Sequence, residues 1–364
     1  MDIETTVRER YSEAAQTYQA GLCCPRTYDP QYLTVIPAEV LERDYGCGDP
    51  SPYVRVGETV LDLGSGGGKI CFITAQMVGA QGQVIGVDMN AEMLALARQA
   101  QPLVAERLGY NNVVFRKGRI EDLGLDCESL DAYLRDHPIT SEYELKQLDG
   151  LLTSWRLERP LISDSSIDVV LSNCVLNLVS QEKKRQVFSE LFRVLKPGGR
   201  AVISDIVSDE DVPATLQANP ELWSGCYSGA LREDRFLAAF ADAGLHGVTL
   251  VKQDVDAWHA IGGIAFRSVT VIAYKSRNEP LSGSSQEIVF RGPFLRVEID
   301  DGTVMERGRR TRVSERAFQL LSQDPYRDFI FQLQPSEAEA THVKQARSPL
   351  PLPMASCGPD CGCS

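Results

Sequence analysis

The stretch that most constrains this chain runs from residue 59 to residue 78. Residues 59–63 are an apolar run that reads as a buried strand. Glycines crowd the turn 64–68, and residues 69–78 read as a helix. Strand, glycine turn and helix in that order form a ligand site at the carboxyl end of a parallel strand. Glycine suits such a turn because a ligand must lie against bare backbone and because the φ values required exclude a Cβ. Two nucleotide patterns fail here. The phosphate cradle GxxxxGK[ST] wants Gly where Leu63 stands and Ser or Thr where Ile70 stands, and GxGxxG wants Gly where Lys69 stands. What remains is Asp62 inside the strand, then Gly64-Ser65-Gly66, then a strand over 83–87 that ends in Asp88. An acid at that remove can accept both hydroxyls of a ribose.

The alternation continues beyond the turn. Helix 91–108, strand 112–116, strand 167–172, helix 181–195, strand 200–206, helix 232–243 and strands 247–254 and 268–274 predict an α/β fold. Its core is a Rossmann-like seven-stranded sheet with helices on both faces, the last two strands forming a hairpin. Residues 1–55 precede it as a helical segment, with helices over 2–18 and 31–43 and a break at Pro37. The sheet domain spans 56–275 and carries a polar, leucine-spaced insertion at 124–160. Residues 276–286 have linker composition. A small α+β module fills 276–335, with strands 287–291, 294–299 and 302–306 and a helix 314–321. Residues 336–364 read as a flexible, cysteine-bearing tail.

Acid, GxG, strand and acid resemble the class I S-adenosylmethionine (SAM) methyltransferases. The resemblance implies SAM as cofactor, seated on Asp62, Gly64, Ser65, Gly66, Asp88 and Met89, with Asn173 at the end of the fourth strand. Residues 118–122 then lie over the adenine, where Ile120 packs on the base and Glu121 or Asp122 accepts its amino group. The same composition also suits an ordinary strand-to-helix loop.

Composition narrows the partners. The chain has 364 residues, 37 Lys and Arg against 50 Asp and Glu, and a net charge of −13. Phosphate backbones repel such a chain, so no nucleic-acid partner is expected. No apolar run is long enough to span a bilayer, and residues 1–19 have no signal-peptide core. A cytoplasmic monomer without membrane contact is expected.

Ten cysteines are many for such a chain. In the cytosol they point to metal binding or redox chemistry rather than to a disulfide framework. No pair of CxxC motifs forms a closed zinc knuckle. Cys174 sits at the carboxyl end of a parallel strand, on the cofactor face. Cys226 lies in the loop after the next strand, and Cys47 in the loop before the first. Cys71 and Cys127 read as core residues, and His137, His246, His259 and His342 as surface or packing residues.

YGCG (45–48), DLGSG (62–66), GVDMN (86–90), SNCVLNLV (172–179), LKPGG (195–199) and GCYSGAL (225–231) together resemble the arsenite methyltransferase family over roughly residues 10–335. The resemblance implies methylation of trivalent arsenic by SAM, giving mono- and dimethylated arsenicals in arsenic detoxification. It also implies Cys174 and Cys226 as direct arsenic ligands, Cys47 as a third thiol, and Cys24 (or Cys23) as a redox partner of Cys47. Thioredoxin or glutathione would be the reductant. The tail cysteines Cys357, Cys361 and Cys363 are either a scavenging site for soft metals or without function. Two features depart from the family pattern: Gly67-Gly68-Lys69-Ile70 stands where Ser-Gly-Arg-Asp is common, and the 124–160 insertion is long. A SAM methyltransferase of an organic small molecule, such as a quinone or sterol, has no use for Cys174 and Cys226. A thiol-rich protein that sequesters arsenic or metal has none for Asp88.

Overall fold

Val60, Leu61 and Leu63 are wholly buried in β1 (Thr59–Leu63), as a central strand covered on both faces requires. The structure is a computed structural model and describes residues 3–19, 22, 28–277 and 286–333. Cys23, Cys24 and the tail cysteines lie outside the described residues. The chain divides into two compact units, Met1–Pro280 with Gln323–Tyr326, and Leu281–Ser322 with Arg327–Ser364.

In the first unit, β2 (Gln83–Asp88), β3 (Val113–Lys117), β4 (Ile167–Asn173) and β5 (Leu195–Ser208) join β1 in parallel. The short β6 (Leu231–Arg232) pairs with β5. β7 (His246–Gln253) and β8 (His259–Ile261) each pair antiparallel with β9 (Ile264–Tyr274), which pairs antiparallel with β5. The seven-strand path is β3-β2-β1-β4-β5-β9-β7. Strand order reverses at β1, which has β2 on one side and β4 on the other. A cleft therefore opens at the carboxyl ends of β1 and β4.

Helices precede and cover this sheet. They are α1 (Ile3–Gln16), α2 (Pro30–Leu33), α3 (Ala38–Glu42), α4 (Lys69–Val78), α5 (Ala91–Leu108), α6 (Cys127–Asp136), α7 (Glu142–Glu158), α8 (Gln181–Val194), α9 (Ala214–Gln217), α10 (Pro220–Ser224) and α11 (Glu233–Asp242). Asn90 starts α5 by accepting the Met93 N–H (2.9 Å), and Gly109 ends it at φ 79°. The 124–160 insertion is the helix pair α6 and α7, capped by Asp126 and Ser141.

Three local features differ from the expectation. LKPGG, which by its Pro-Gly-Gly run joins helix to strand as a turn, is absorbed as a bulge into the start of β5: the register with β4 shifts across it and Gly198 holds φ 82°. Gly198 N–H donates to Lys275 O (2.8 Å) and Lys275 N–H to Gly199 O (2.9 Å), which draws the segment into the ladder. The last two strands of the sheet are not a simple hairpin. β8 intervenes and turns into β9 through Gly262-Gly263, both at positive φ, a two-residue hairpin signal the sequence carries. The loop 219–230 contains α10, started by Asn219.

The second unit has β10 (Gln286–Phe290), β11 (Arg296–Glu298), β12 (Val304–Glu306), β13 (Arg310–Val313), α12 (Glu315–Leu321) and β14 (Ile330–Leu333). β13-β10-β14 form one antiparallel sheet and β11-β12 a second. Ile288, Phe290, Val313 and Leu321 are buried in it. β13 and β14 lie outside the strands expected there, because their alternation is masked by arginines and by a short run.

Candidate active site

The glycine turn is fixed from below by β2. Gly64 and Ser65 N–H both donate to Val87 O (2.8 and 3.0 Å). Gly64, Gly66 and Gly68 have φ of 68°, 51° and 89°. A Cβ on Gly64 would lie 2.5 Å from the Val175 methyls, whereas one on Gly66 would meet nothing within 4 Å. The turn is thus tight against the segment that follows β4 on one side and faces open space on the other.

Asp88 lies at the carboxyl end of β2, where it accepts the Gly66 N–H and the Asn90 N–H at 2.8 Å each. Each of its oxygens keeps further acceptor capacity. Burial raises its carboxyl above the usual range, against the N–H groups of Asn90, Gly66 and Met89. Asp62 is buried more deeply and accepts from the Cys71 thiol (3.3 Å). Burial pushes its carboxyl up to about 7, with Asp88 and Asp44 adding and Cys71 opposing. Cys71 therefore does more than fill the core. Cys127, read as core, is half-buried at the start of α6.

A cavity of about 610 Å³ opens over the turn. Asp62, Gly64, Ser65, Gly66, Asp88, Met89, Ile120, Glu121 and Asn173 all line it, and so does Cys174. The donor set suits SAM on two observations. Ser65 Oγ is buried and has no hydrogen-bond partner among the described residues, and Gly66 leaves its backbone bare. Glu121 carries ion pairs from Lys183 (3.1 Å) and Arg119 (3.4 Å).

Several lining residues escaped the sequence reading. α1 forms one wall through Glu4, Val7 and Tyr11. Glu4 pairs with Arg119 and Lys183, and the Arg119 hydrogen bond, the largest influence, holds its carboxyl below the ordinary value. Asn90 Nδ2 donates to Arg8 O (3.1 Å), and an Arg10 guanidinium nitrogen to Glu221 O (2.9 Å). No spacing in residues 2–18 signals that role. Lys69 is also buried, paired with Asp44 (2.6 Å), with its ammonium over the Tyr28 ring (3.6 Å).

Cys47, Cys174 and Cys226 share one apolar cluster with Ile206, Val212 and Phe266. Their relative exposures are 0%, 2% and 1%. The Cys226 thiol donates to Cys174 O (3.1 Å). Both Cys174 (φ 64°) and Cys226 (φ 67°) take the left-handed conformation that normally favours glycine. Cys47 is seated by Asn173, whose Oδ1 accepts the Cys47 and Gly48 N–H groups at 2.9 Å each. Asn173 Nδ2 donates to Gly48 O (2.9 Å) and to Tyr28 Oη (3.3 Å). Asn173 thus turns its amide onto the Cys47 loop while lining the cavity. The glycines of YGCG have a steric reason: a Cβ would reach 2.1 Å from Asn173 Nδ2 at Gly46 and 2.6 Å from Ser204 Cβ at Gly48.

Asp205 completes this end. Ligand atoms of Cys47, Cys174 and Asp205 all lie within 4.8 Å of one another, and the three residues are buried. Asp205 is a lone acid in the apolar run AVISDIV (201–207), a signal the sequence carries and the motif reading passed over. His137 stacks on Tyr133 (4.2 Å) and His246 on Tyr274 (6.1 Å), both packing contacts. His342 lies outside the described residues.

The family model "Methyltransferase domain" matches residues 55–151 and 155–244, and a domain of unknown function, DUF8838, matches 277–355. The arsenite methyltransferase of Aquipseudomonas alcaligenes is 36% identical over 233 residues, which are 62% of this chain and 57% of that protein. The chain thus spans less than two thirds of that relative. The arsenite methyltransferase of Homo sapiens is 30% identical over 290 residues, 73% of this chain and 68% of that protein. The crystal structure of an arsenic(III) S-adenosylmethionine methyltransferase from Chlamydomonas reinhardtii superposes with a TM-score of 0.58 at 26% identity, covering 86% of this chain and 97% of that one.

Proposed function

This chain belongs to the arsenite methyltransferase family, and on that premise we propose that it transfers the SAM methyl group to trivalent arsenic held by its cysteine thiolates, giving mono- and dimethylated arsenicals. The observation that carries the reading is the position of Cys174. It lines the cavity of the glycine turn and Asp88, and its sulfur is within 4.8 Å of that of Cys47.

Bound SAM supplies an electrophilic methyl carbon on a sulfonium. Asp88 would take its ribose hydroxyls, Ile120 would pack on the adenine, Glu121 would accept the adenine amino group, and Ser65 Oγ and the bare Gly66 backbone would meet the rest. Cys174 and Cys226 hold arsenite as direct ligands, and Cys47 supplies the third sulfur. Soft thiolate ligands suit As(III) and leave its lone pair free for attack on the methyl group. The thiols lose their protons as arsenic binds, so no general base is needed. The main contribution of the chain is to hold two reactants in line, an effect that can reach roughly 7–11 kcal/mol.

Transfer of CH3⁺ raises arsenic formally to As(V), so two electrons must return. Cys47 and Cys24 (or Cys23) give them by closing a disulfide, which thioredoxin or glutathione reopens by exchange. Among the described residues no helix is long and apolar enough to cross a membrane. A cytoplasmic monomer is the setting we assign.

The test is direct. The protein is incubated with arsenite, SAM and a thiol reductant, and arsenic species are separated by chromatography with elemental detection. Mono- and dimethylated species are expected, and their absence overturns the reading. Cys47→Ser should retain at most the methylation of an already monomethylated arsenical, which needs only two sulfurs.

A further inference from the structure

Beneath the cysteines lie two polar side chains that the proposed chemistry does not use. Asp205 on β5 and Asn177 after β4 are 0% and 1% exposed. Asp205 Oδ2 accepts the Leu176 N–H (2.9 Å). Its Oδ1 accepts from Asn177 Nδ2 (2.9 Å) and from its neighbour Ile206 N–H (2.8 Å). The two hydrogens of Asn177 Nδ2 are shared among three acceptors: Asp205 Oδ1, Ile206 O (2.6 Å) and, on another segment and at the longest distance, Cys226 O (3.2 Å).

We propose that Asn177 and Asp205 are a positioning pair that sets the spacing of the sulfurs at the thiol site; the inference rests on the arsenic reading above. The carboxylate holds the turn that follows Cys174 by the Leu176 N–H and the Asn177 amide. The amide in turn holds the carbonyl of Cys226. One buried pair therefore ties together the two segments that carry the direct arsenic ligands.

The backbone makes this tie necessary. Cys174 and Cys226 sit at φ 64° and 67°. A left-handed conformation is disfavoured for a residue with a Cβ, so a loop released from its partners relaxes toward negative φ. That relaxation swings the Cα–Cβ bond and carries the sulfur with it. Two further features brace the pair and outlast loss of the thiol protons. Lys184 Nζ donates to Leu176 O, and Gly229 packs so closely on Asn177 that a Cβ there would lie 1.9 Å from Asn177 O. Asp205 also reaches the third thiol, since its ligand oxygen lies within 4.8 Å of both the Cys47 and the Cys174 sulfur. Trivalent arsenic needs its sulfurs at a fixed mutual spacing, so slack in one loop removes a ligand rather than lengthening every bond.

The experiment loads the full-length protein with one equivalent of arsenite and counts As–S bonds by arsenic K-edge absorption fine structure. S-adenosylhomocysteine affinity is measured by calorimetry on the same samples. Wild type is expected to show three sulfurs on arsenic. Asn177→Ala should fall toward two and lose about 10²-fold in kcat/KM for arsenite, the scale of an ångström-sized misplacement. Asn177→Ser, which keeps a short donor, should lose less, and both variants should bind S-adenosylhomocysteine within about twofold of wild type. An unchanged sulfur count and kcat/KM in both variants overturns the inference alone. Parallel loss of arsenic and S-adenosylhomocysteine binding also overturns it, because the pair would then support the whole fold. A wild-type protein that binds no arsenite overturns the arsenic reading and this inference with it.

Discussion

The two ends of the active cleft are built on opposite principles. At the cofactor end there is room: a cavity of about 610 Å³, a buried serine hydroxyl without a partner among the described residues, and a carboxylate, that of Asp88, with acceptor capacity to spare. At the thiol end Cys47, Cys174 and Cys226 are buried in one apolar cluster with Ile206, Val212 and Phe266, and Cys174 also borders the cavity. The polar groups there bond one another. The first end is shaped to be filled and the second to be rigid. A bulky methyl donor needs the former. On the proposed arsenic chemistry, a metalloid held by short bonds to a few sulfurs needs the latter, because positional error of an ångström costs about two orders of magnitude in rate.

This contrast can be broken by substitution. The largest effect is expected from Cys174→Ser, which should abolish arsenic methylation while leaving S-adenosylhomocysteine affinity within a few-fold. Calorimetry beside the chromatographic assay checks it, and an equal loss of cofactor binding would erase the distinction between the two ends. Gly46→Ala comes next. Its new Cβ would stand 2.1 Å from Asn173 Nδ2 and push the Cys47 loop away. The expected loss is about 10²-fold in kcat/KM for arsenite, with a much smaller change in cofactor affinity.

Asp88→Asn tests the other end. Loss of charge-assisted hydrogen bonds, worth about 1.5–3 kcal/mol, should raise the KM for SAM about tenfold or more and leave arsenite binding unchanged. Asp62→Asn bears on stability. The Asp62 carboxyl is raised from 3.8 to about 7 by burial. The stability this protonated group contributes is full below pH 3.8 and is lost as pH rises through about 7. Wild type should therefore lose on the order of 2 kcal/mol between pH 5 and pH 8 that the Asn variant keeps, as read by denaturant unfolding at the two pH values. The smallest effect belongs to Glu4→Gln. Its ion pairs are partly exposed, so the KM for SAM should rise only a few-fold, and less at high salt.

What was legible in the sequence follows the same division. The cofactor end is local: Asp62, the glycine turn and Asp88 lie within one βαβ unit, and hydrophobic alternation alone places them. The thiol end gathers residues 47, 174, 205 and 226 from four distant segments. Topology could bring Cys174 and Cys226 to one face, but no spacing rule links Asp205 to them. Nor could spacing show that Asn173 spends its amide on the Cys47 loop, because that contact depends on how residues 45–48 cross β4. The place of LKPGG within β5 is hidden for a similar reason. A Pro-Gly-Gly run is a turn by local chemistry, and only pairing with Lys275 draws it into a strand.

The backbone at Cys174 and Cys226 has one more consequence, on an evolutionary timescale. Both residues occupy positions that glycine would hold without torsional cost, and Cys47, at an ordinary φ, does not. Neutral drift has a built-in direction at the first two and none at the third. On the proposed arsenic chemistry, the torsional cost at Cys174 and Cys226 is borne for their thiols, so where selection on that chemistry relaxes, glycine should appear at these two sites before Cys47, slowed only by the packing each buried side chain supplies.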